Sequence, residues 1–74
     1  MTKDRLLDVF CRTFELSTVS ESISQKNSDK WDSLNHINLV VEIETEFDIM
    51  LEPEDISEMI DFESVLRIVE RKLV

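Results

Sequence analysis

Apolar residues recur at three- and four-residue steps in separate segments of this chain, and that spacing restricts it to a helical fold. The first segment runs from about Lys3 to Phe14 and carries Leu6, Leu7 and Phe10 on one face. Residues three and four positions apart lie on the same side of an α-helix, so the segment predicts an amphipathic helix. The residues that follow, 15–32, are mostly polar and predict a long loop.

A second amphipathic helix is predicted to begin at Asp32 or Ser33, because either side chain can accept a free backbone N–H at a helix start. It should end near Phe47-Asp48. Leu34 and Val41 lie off its main stripe, on another face. The stripe expected to face the core is Ile37, Val40, Ile43 or Glu44, and Phe47. In the loop before this helix, we expect Val19 and Ile23 to dock on the core, because a structureless loop of this length is unusual.

The C-terminal third predicts one short helix and one long helix. The short helix covers Glu54 to Met59, with the only proline, Pro53, near its start. The last helix should begin near Asp61, a good capping residue. The side chains expected to cover the core are Ile56, Met59 and Ile60 from the first part and Phe62, Val65, Leu66, Val69 and Leu73 from the second.

The chain is therefore predicted to be a single all-α domain, residues 1–74, with three main helices, one short helix and a long first loop. Since it has no glycine, we expect Asn27, Asn35 or Asp48 to supply left-handed backbone at helix ends and loops. Cys11 is the lone cysteine, so no internal disulfide can form, which suits a reducing compartment. With no apolar run of about 18 residues and no secretory signal visible, we expect a cytoplasmic monomer.

The charge distribution limits the kinds of partner. The chain has 17 acidic and 8 basic residues, for a net charge of −9. Nucleic acids and anionic membranes would repel it, because both are bound through Lys and Arg. Between Trp31 and Leu66 there are eleven Asp or Glu and no Lys or Arg. The negative electrostatic field of this acidic segment favours encounters with basic protein surfaces.

Two arrangements hint at catalysis or metal binding without supporting either. Ser33 and His36 are three residues apart, but nucleophilic catalysis also needs an orienting acid, oxyanion donors and a pocket. A small hydrolase is thus disfavoured, and His36 is expected to lie on the surface. The acidic residues between Glu42 and Asp55 lack the alternating ligands and glycine of a calcium loop, so no dedicated metal site is predicted.

Ser33 is more interesting as an attachment point. A serine at a helix start is usually only a cap. Here it follows a long loop, which leaves room for a modifying enzyme, and it precedes a helix with carboxylates. A phosphate attached to Ser33 would meet the free N–H groups and the positive end of the helix dipole.

The stretch from Asp32 to Ile49, DSLNHINLVVEIETEFDI in one-letter code, resembles the Asp-Ser-Leu signature and following helix of the acyl carrier protein family. The resemblance continues through Pro53-Glu54-Asp55-Ile56 to the last helix and covers nearly the whole chain. It implies the helical bundle of that family and a carrier that is not itself an enzyme.

The resemblance also implies a cofactor and partners. A phosphopantetheinyl transferase with magnesium would attach 4'-phosphopantetheine from coenzyme A to Ser33, and Asp32 would assist. The arm's thiol would hold acyl or aminoacyl groups as thioesters. The second helix would dock on basic patches of acyl-loading and acyl-transferring enzymes, and the bundle core could shelter part of an acyl chain.

Several residues depart from the family pattern. Lys30 stands where a glycine is usual, and Asn35 and Asn38 replace residues that are commonly acidic. Trp31 and His36 add an aromatic and a titratable group beside the serine. These differences imply a specialised carrier with its own partners. The side chains expected to contact partners are Trp31, Leu34, Asn35, His36, Asn38, Val41 and Glu42.

Other interpretations stay open. Neutral Asn35 and Asn38 are compatible with a peptidyl or aminoacyl carrier, and a small acidic interaction domain without the arm would have a similar composition. The sequence does not distinguish a fatty acid, polyketide, peptide or surface-polysaccharide pathway.

Overall fold

Four helices joined by loops make up the fold in a computed structural model that describes all residues, 1–74. Helix α1 spans Thr2–Phe14, α2 spans Ser33–Phe47, α3 spans Pro53–Glu58 and α4 spans Phe62–Leu73. The only β-type pairing is an isolated bridge between Ser24 and Asp61. The prediction of an all-α domain with three main helices, one short helix and a long first loop is confirmed.

Side-chain caps and left-handed residues set the helix ends. Asp32 caps α2 and Asp61 caps α4, each accepting a backbone N–H from the residue three positions on. In the absence of glycine, α1 ends at Glu15 with φ 56° and α2 ends at Asp48 with φ 53°. Asp48 was among the residues predicted for this role, and Glu15 was not. Asn27 and Asn35, also predicted, have negative φ.

The core is built around an aromatic cluster contributed by three separate parts of the chain. The Phe10 ring lies 5.3 Å from Trp31 and 5.3 Å from Phe62, measured between ring centroids, in edge-to-face arrangements. Phe14 contacts Phe10 at 5.6 Å in the same manner. Such pairs add to the stabilisation from apolar burial. Trp31 joins the end of the first loop to this cluster, and this fixes where α2 begins.

The first loop is held against the junction between α3 and α4. The Phe62 N–H donates to the Ile23 carbonyl and the Gln25 N–H donates to the Ile60 carbonyl, both at 3.0 Å. Ile23 is buried and Val19 is partly buried against the core, so the predicted docking of the loop is confirmed. Backbone bonds in addition to apolar contacts thus order the segment that precedes Ser33.

The apolar face of α2 agrees with the prediction at Val40, Ile43 and Phe47 and differs from it at Ile37. Ile37 was expected in the core but is 61% exposed, whereas Leu39 is fully buried. Leu39, Val40, Ile43 and Phe47 form the inward face. Similar corrections apply nearer the C-terminus: Ile60 and Leu73 are exposed rather than buried, and Ile68 is buried in their place.

Candidate functional site

Ser33 is the first residue of α2 and is exposed to solvent. Asp32, not Ser33, fills the capping position: its Oδ1 accepts the Asn35 N–H at 2.8 Å, and its backbone carbonyl accepts the His36 N–H at 2.8 Å. The serine hydroxyl is therefore not needed to satisfy the helix start. Ser33 is held in a fixed backbone position with its side chain available for modification.

The start of α2 offers donors to an anion. The N–H groups of Ser33 and Leu34 are in the first turn, where an α-helix supplies no acceptor of its own. The helix dipole adds partial positive charge at this end. A phosphodiester on the Ser33 oxygen would lie next to both, so the residues present fit a phosphopantetheine group.

Asn35 has a structural task in this segment. Its side-chain Nδ2 donates to the Lys30 carbonyl at 2.8 Å, which ties the residues before the cap to the first turn of α2. Its Oδ1 accepts from Asn38 Nδ2 at 3.1 Å. An aspartate at position 35 has no N–H to donate to Lys30. This gives a physical reason for the amide at a position where the family that the sequence resembles often has an acid.

Trp31 was expected to contact partners, but the structure places it in the core. The residue is only 4% exposed, and its ring packs on Phe10 and Phe14. Burial removes the apolar surface of the Trp31 ring from water, which stabilises the fold. Trp31 is therefore a core residue that positions the start of α2, and it is removed from the candidate recognition surface.

His36 is also not the surface residue that the sequence suggested. It is half-buried, and its Nδ1 lies 2.9 Å from Trp31 Nε1, while its Nε2 lies 3.0 Å from the Ile56 carbonyl. Indole Nε1 can only donate, so Nδ1 is the acceptor and Nε2 carries the proton that is donated to Ile56. We call these two bonds the His36 bridge. Because both ring nitrogens are engaged, neither is free to act as a base on Ser33.

A helix-start pattern could have identified this pair. With Asp32 as the cap, Trp31 occupies the position before it and His36 occupies the fourth helical position. Side chains at these two positions often pack on each other and fix the direction in which the chain enters the helix. The two rings are stacked, with centroids 6.2 Å apart and an interplanar angle of 23°.

Two clefts flank the start of α2. One, with a volume of about 380 Å³, contains Ser33 itself and is lined by Gln25, Trp31, Asp32, Ser33 and His36. We call it the Ser33 cleft. The other, about 570 Å³, lies on the α1 side of the helix among polar residues that include Asn35 and Asn38. A larger depression of about 640 Å³ at the α3–α4 junction is not lined by Ser33 and is not part of this site.

The outward face of α2 carries three exposed apolar side chains at helical spacing. Leu34 is 69% exposed, Ile37 61% and Val41 53%. We call these residues the outer stripe. Leu34 and Val41 were predicted to lie away from the core, and Ile37 joins them. Exposed apolar groups that lie together on one face often mark a surface for binding another protein.

Two carboxylates of α2, those of Glu42 and Glu46, pair with arginines of α1 and are therefore less available to partner proteins than the sequence suggests. Glu46 accepts a hydrogen bond from Arg5 at 3.1 Å and another from Arg12 at 3.3 Å, and these bonds lower the pKa of Glu46. Glu42, expected to contact partners, lies 3.6 Å from Arg12. From 33 to 41 the helix has no acidic residue at all. The surface next to Ser33 is therefore apolar and amide-rich, with Asp32 as the nearby acid.

Neither a metal site nor a membrane-spanning element is found. No cluster of three or more His, Cys, Asp or Glu side chains has a geometry that could hold a metal ion. No helix combines the length and the apolar character needed to cross a bilayer.

Comparison with known proteins points to one family. No protein-family model and no curated protein matches the chain. Among solved structures, it is similar to the solution NMR structure of a holo acyl carrier protein from Geobacter metallireducens. The two chains superpose with a TM-score of 0.87 at 27% sequence identity, over 97% of this chain and 85% of the other. The fold and the Asp32-Ser33-Leu34 helix start agree with this similarity, so the chain resembles the acyl carrier protein family in both sequence and structure.

Proposed function

We propose that this protein is an acyl carrier in which Ser33 bears a 4'-phosphopantetheine arm. The observation that carries the proposal is the helix start: Asp32 caps α2, which leaves an exposed Ser33 hydroxyl beside the free N–H groups of the first turn. The similar Geobacter metallireducens protein is a holo acyl carrier protein, which supports the same assignment. When bound, the arm supplies a thiol that holds acyl groups as thioesters between enzymes.

The attachment reaction needs only a positioned nucleophile from this chain. In the active site of a phosphopantetheinyl transferase, the Ser33 oxygen would attack the phosphorus that bears the pantetheine group in coenzyme A. A phosphodiester bond forms, the pyrophosphate P–O bond breaks, the adenosine bisphosphate half leaves, and the hydroxyl proton passes to the transferase. Asp32 assists by holding the first turn of α2, and Ser33 needs no base of its own because the transferase supplies it.

The partner surface that we propose is the outer stripe with the amides beside it. Leu34, Ile37 and Val41 supply apolar contact, and Asn35 and Asn38 supply neutral polar groups. Glu42 contributes a carboxylate shared with Arg12. Since the half of α2 nearest Ser33 has no acid, the loading and transferring enzymes of this carrier should present a less basic and more apolar patch than carriers with acidic helices require. This supports a specialised carrier.

Intact-mass analysis tests the arm. The purified protein is incubated with coenzyme A, magnesium and a broad-range transferase, next to a control carrier. We expect the wild-type mass to rise by that of one phosphopantetheinyl group and Ser33→Ala to stay unchanged. If the wild type gains no mass while the control carrier is modified, the protein is better explained as a small acidic interaction domain.

A peptidyl or aminoacyl carrier is the second candidate, favoured by the neutral Asn35 and Asn38 beside the attachment site. It differs from an acyl carrier in its loading enzyme and its cargo. Isolating the loaded protein from cells and releasing the thioester would identify the cargo directly. We further propose that the protein works as a cytoplasmic monomer. Size-exclusion chromatography with light scattering would test its oligomeric state.

A further inference from the structure

The Ser33 cleft is the opening nearest to the attachment site, and its inner side is closed. Trp31 lies beneath it, packed against Phe10 and Phe14. His36 lines the same cleft and reaches across to the carbonyl of Ile56 in α3. A chain attached at Ser33 that moved through this cleft towards the core would meet these two side chains first.

Polar contacts hold this closure in place. The His36 bridge joins the end of the first loop, α2 and α3 through bonds of 2.9 and 3.0 Å. Gln25 adds a bond from its side-chain Nε2 to the Met59 carbonyl at 3.3 Å, just beyond the end of α3. An acyl chain that parted α2 from α3 here would break both part-buried bonds. The indole N–H and the Ile56 carbonyl would then lose their partners where they are partly shielded from water, which is disfavoured.

We propose that the His36 bridge keeps cargo out of the bundle core, so that this carrier holds its acyl groups in the polar Ser33 cleft or in solvent. The proposal rests on the proposed arm at Ser33 and specifies its cargo class: short or polar acyl and aminoacyl groups. A long alkyl chain on this carrier stays in water, so the carrier does not stabilise it by burial. The resemblance to the family implied that the core shelters part of an acyl chain. For this protein we propose instead that the acyl chain stays outside the core.

The test compares thioesters of increasing chain length. A transferase loads the protein from acetyl-, butyryl-, hexanoyl- and octanoyl-coenzyme A, and intact mass verifies each product before the next step. The rate of thioester cleavage by hydroxylamine is then measured. If the core sheltered the chain, each buried methylene would shift the sheltered population about fourfold, so cleavage would slow steeply with length. For the wild type we expect the same rate for all four.

Two variants assign the effect to the bridge. His36→Ala removes both bonds. Trp31→Phe removes the N–H donor and part of the buried ring but keeps an aromatic side chain in the core, so the fold should tolerate it better than loss of the whole ring. Thr45→Ala, on an exposed turn of the same helix, is the matched control. We expect cleavage to slow with chain length in both bridge variants and to stay independent of length in the control.

The outcomes separate this proposal from the assignment of the arm. Failure to load any group would count against the arm at Ser33. Successful loading followed by chain-length-dependent protection in the wild type would overturn the closed core. Length-independent cleavage in the wild type and in both bridge variants would show that His36 is not what excludes the chain.

Discussion

Replacing Asp55 with asparagine should lower the free energy of unfolding by about 2 kcal/mol at neutral pH. Asp55 is 4% exposed, and its carboxylate accepts the Glu52 N–H, the Lys72 ammonium and an Arg71 N–H, each at 3.0 Å. These contacts join α3 to α4. Asparagine has nearly the same shape and can still accept from Glu52, but it loses the charge and turns an NH₂ group towards Arg71.

The two ion pairs contribute unequally to this figure. The Lys72 side chain is 23% exposed, so its bond to Asp55 is partly shielded and belongs with charged hydrogen bonds of about 1.5–3 kcal/mol. The Arg71 side chain is 58% exposed, and exposed pairs contribute about 0–1 kcal/mol. In the Asp55→Asn variant the remaining side-chain oxygen keeps part of the bond with Lys72. The expected net loss of about 2 kcal/mol is therefore near the lower end of the summed contributions of the two ion pairs.

The pH dependence gives a second, sharper readout. The Glu52 N–H bond first, and then the Lys72 bond, lower the pKa of Asp55 below its ordinary value of 3.8. A carboxyl whose folded pKa is depressed stabilises the fold above its unfolded pKa and loses that contribution as the pH falls through the folded pKa. The stability difference between wild type and Asp55→Asn should therefore be full at neutral pH and disappear at a pH well below 3.8.

Urea unfolding followed by circular dichroism measures both effects. Glu54→Gln, an exposed acid on the same helix, is the matched control and should change stability by less than about 0.5 kcal/mol. A stability loss for Asp55→Asn no larger than that of the control would show that the Asp55 contacts do not stabilise the fold. A loss that persists unchanged at acid pH would show that the ionised form of Asp55 is not its source.

Two further substitutions separate structure from recognition at α2. Asn35→Asp should lower stability by about 1 kcal/mol in urea unfolding, because it removes the donor to the Lys30 carbonyl and adds a charge near Asp32; unchanged stability would contradict the role given to the amide. Ile37→Ser should leave stability within about 0.5 kcal/mol, since the side chain is exposed, but should reduce kcat/KM of the enzyme that loads the arm. An unchanged kcat/KM would place the partner surface elsewhere.

The sequence predicted the helices well because periodicity and caps are local signals. The bounds of α1 and α2, the docking of Ile23 and the left-handed end at Asp48 all agree with the structure. On α2, Val40, Ile43 and Phe47 are buried as predicted, but Ile37 is exposed and the buried Leu39 was missed. The two opposite faces of α2 are both apolar, one carrying Leu39 and the other Ile37, so spacing alone cannot select between them.

The environment of Ser33 depended on contacts between distant parts of the chain. His36 and Ile56 are 20 residues apart and meet across α2 and α3, which no local pattern predicts, whereas Trp31 and His36 are linked through their places at the start of α2. The interpretation of Trp31 as a surface contact was wrong, although its place before the Asp32 cap was a usable signal. Ser33 and Asp32 themselves needed only the family pattern and the rules for helix starts.

The long acidic segment also looks different once the chain is folded. Basic residues from both ends of the chain form ion pairs with this segment. Arg5 and Arg12 in α1 pair with Glu46. Lys72 in α4 pairs with Glu52 and Asp55. The net charge of −9 is unchanged. Because part of the negative field is neutralised within the protein, partner recognition should depend more on the outer stripe than the charge count suggested.

Peptide sequencing shows directly whether the arm that we propose is attached to Ser33. The protein is treated with coenzyme A and a transferase and digested with trypsin, and all serine-containing fragments, including those with Ser28 and Ser33, are sequenced by tandem mass spectrometry. We expect a phosphopantetheinyl group on Ser33 and on no other serine. Modification at a loop serine such as Ser28, or none with a transferase that modifies a control carrier, would contradict it.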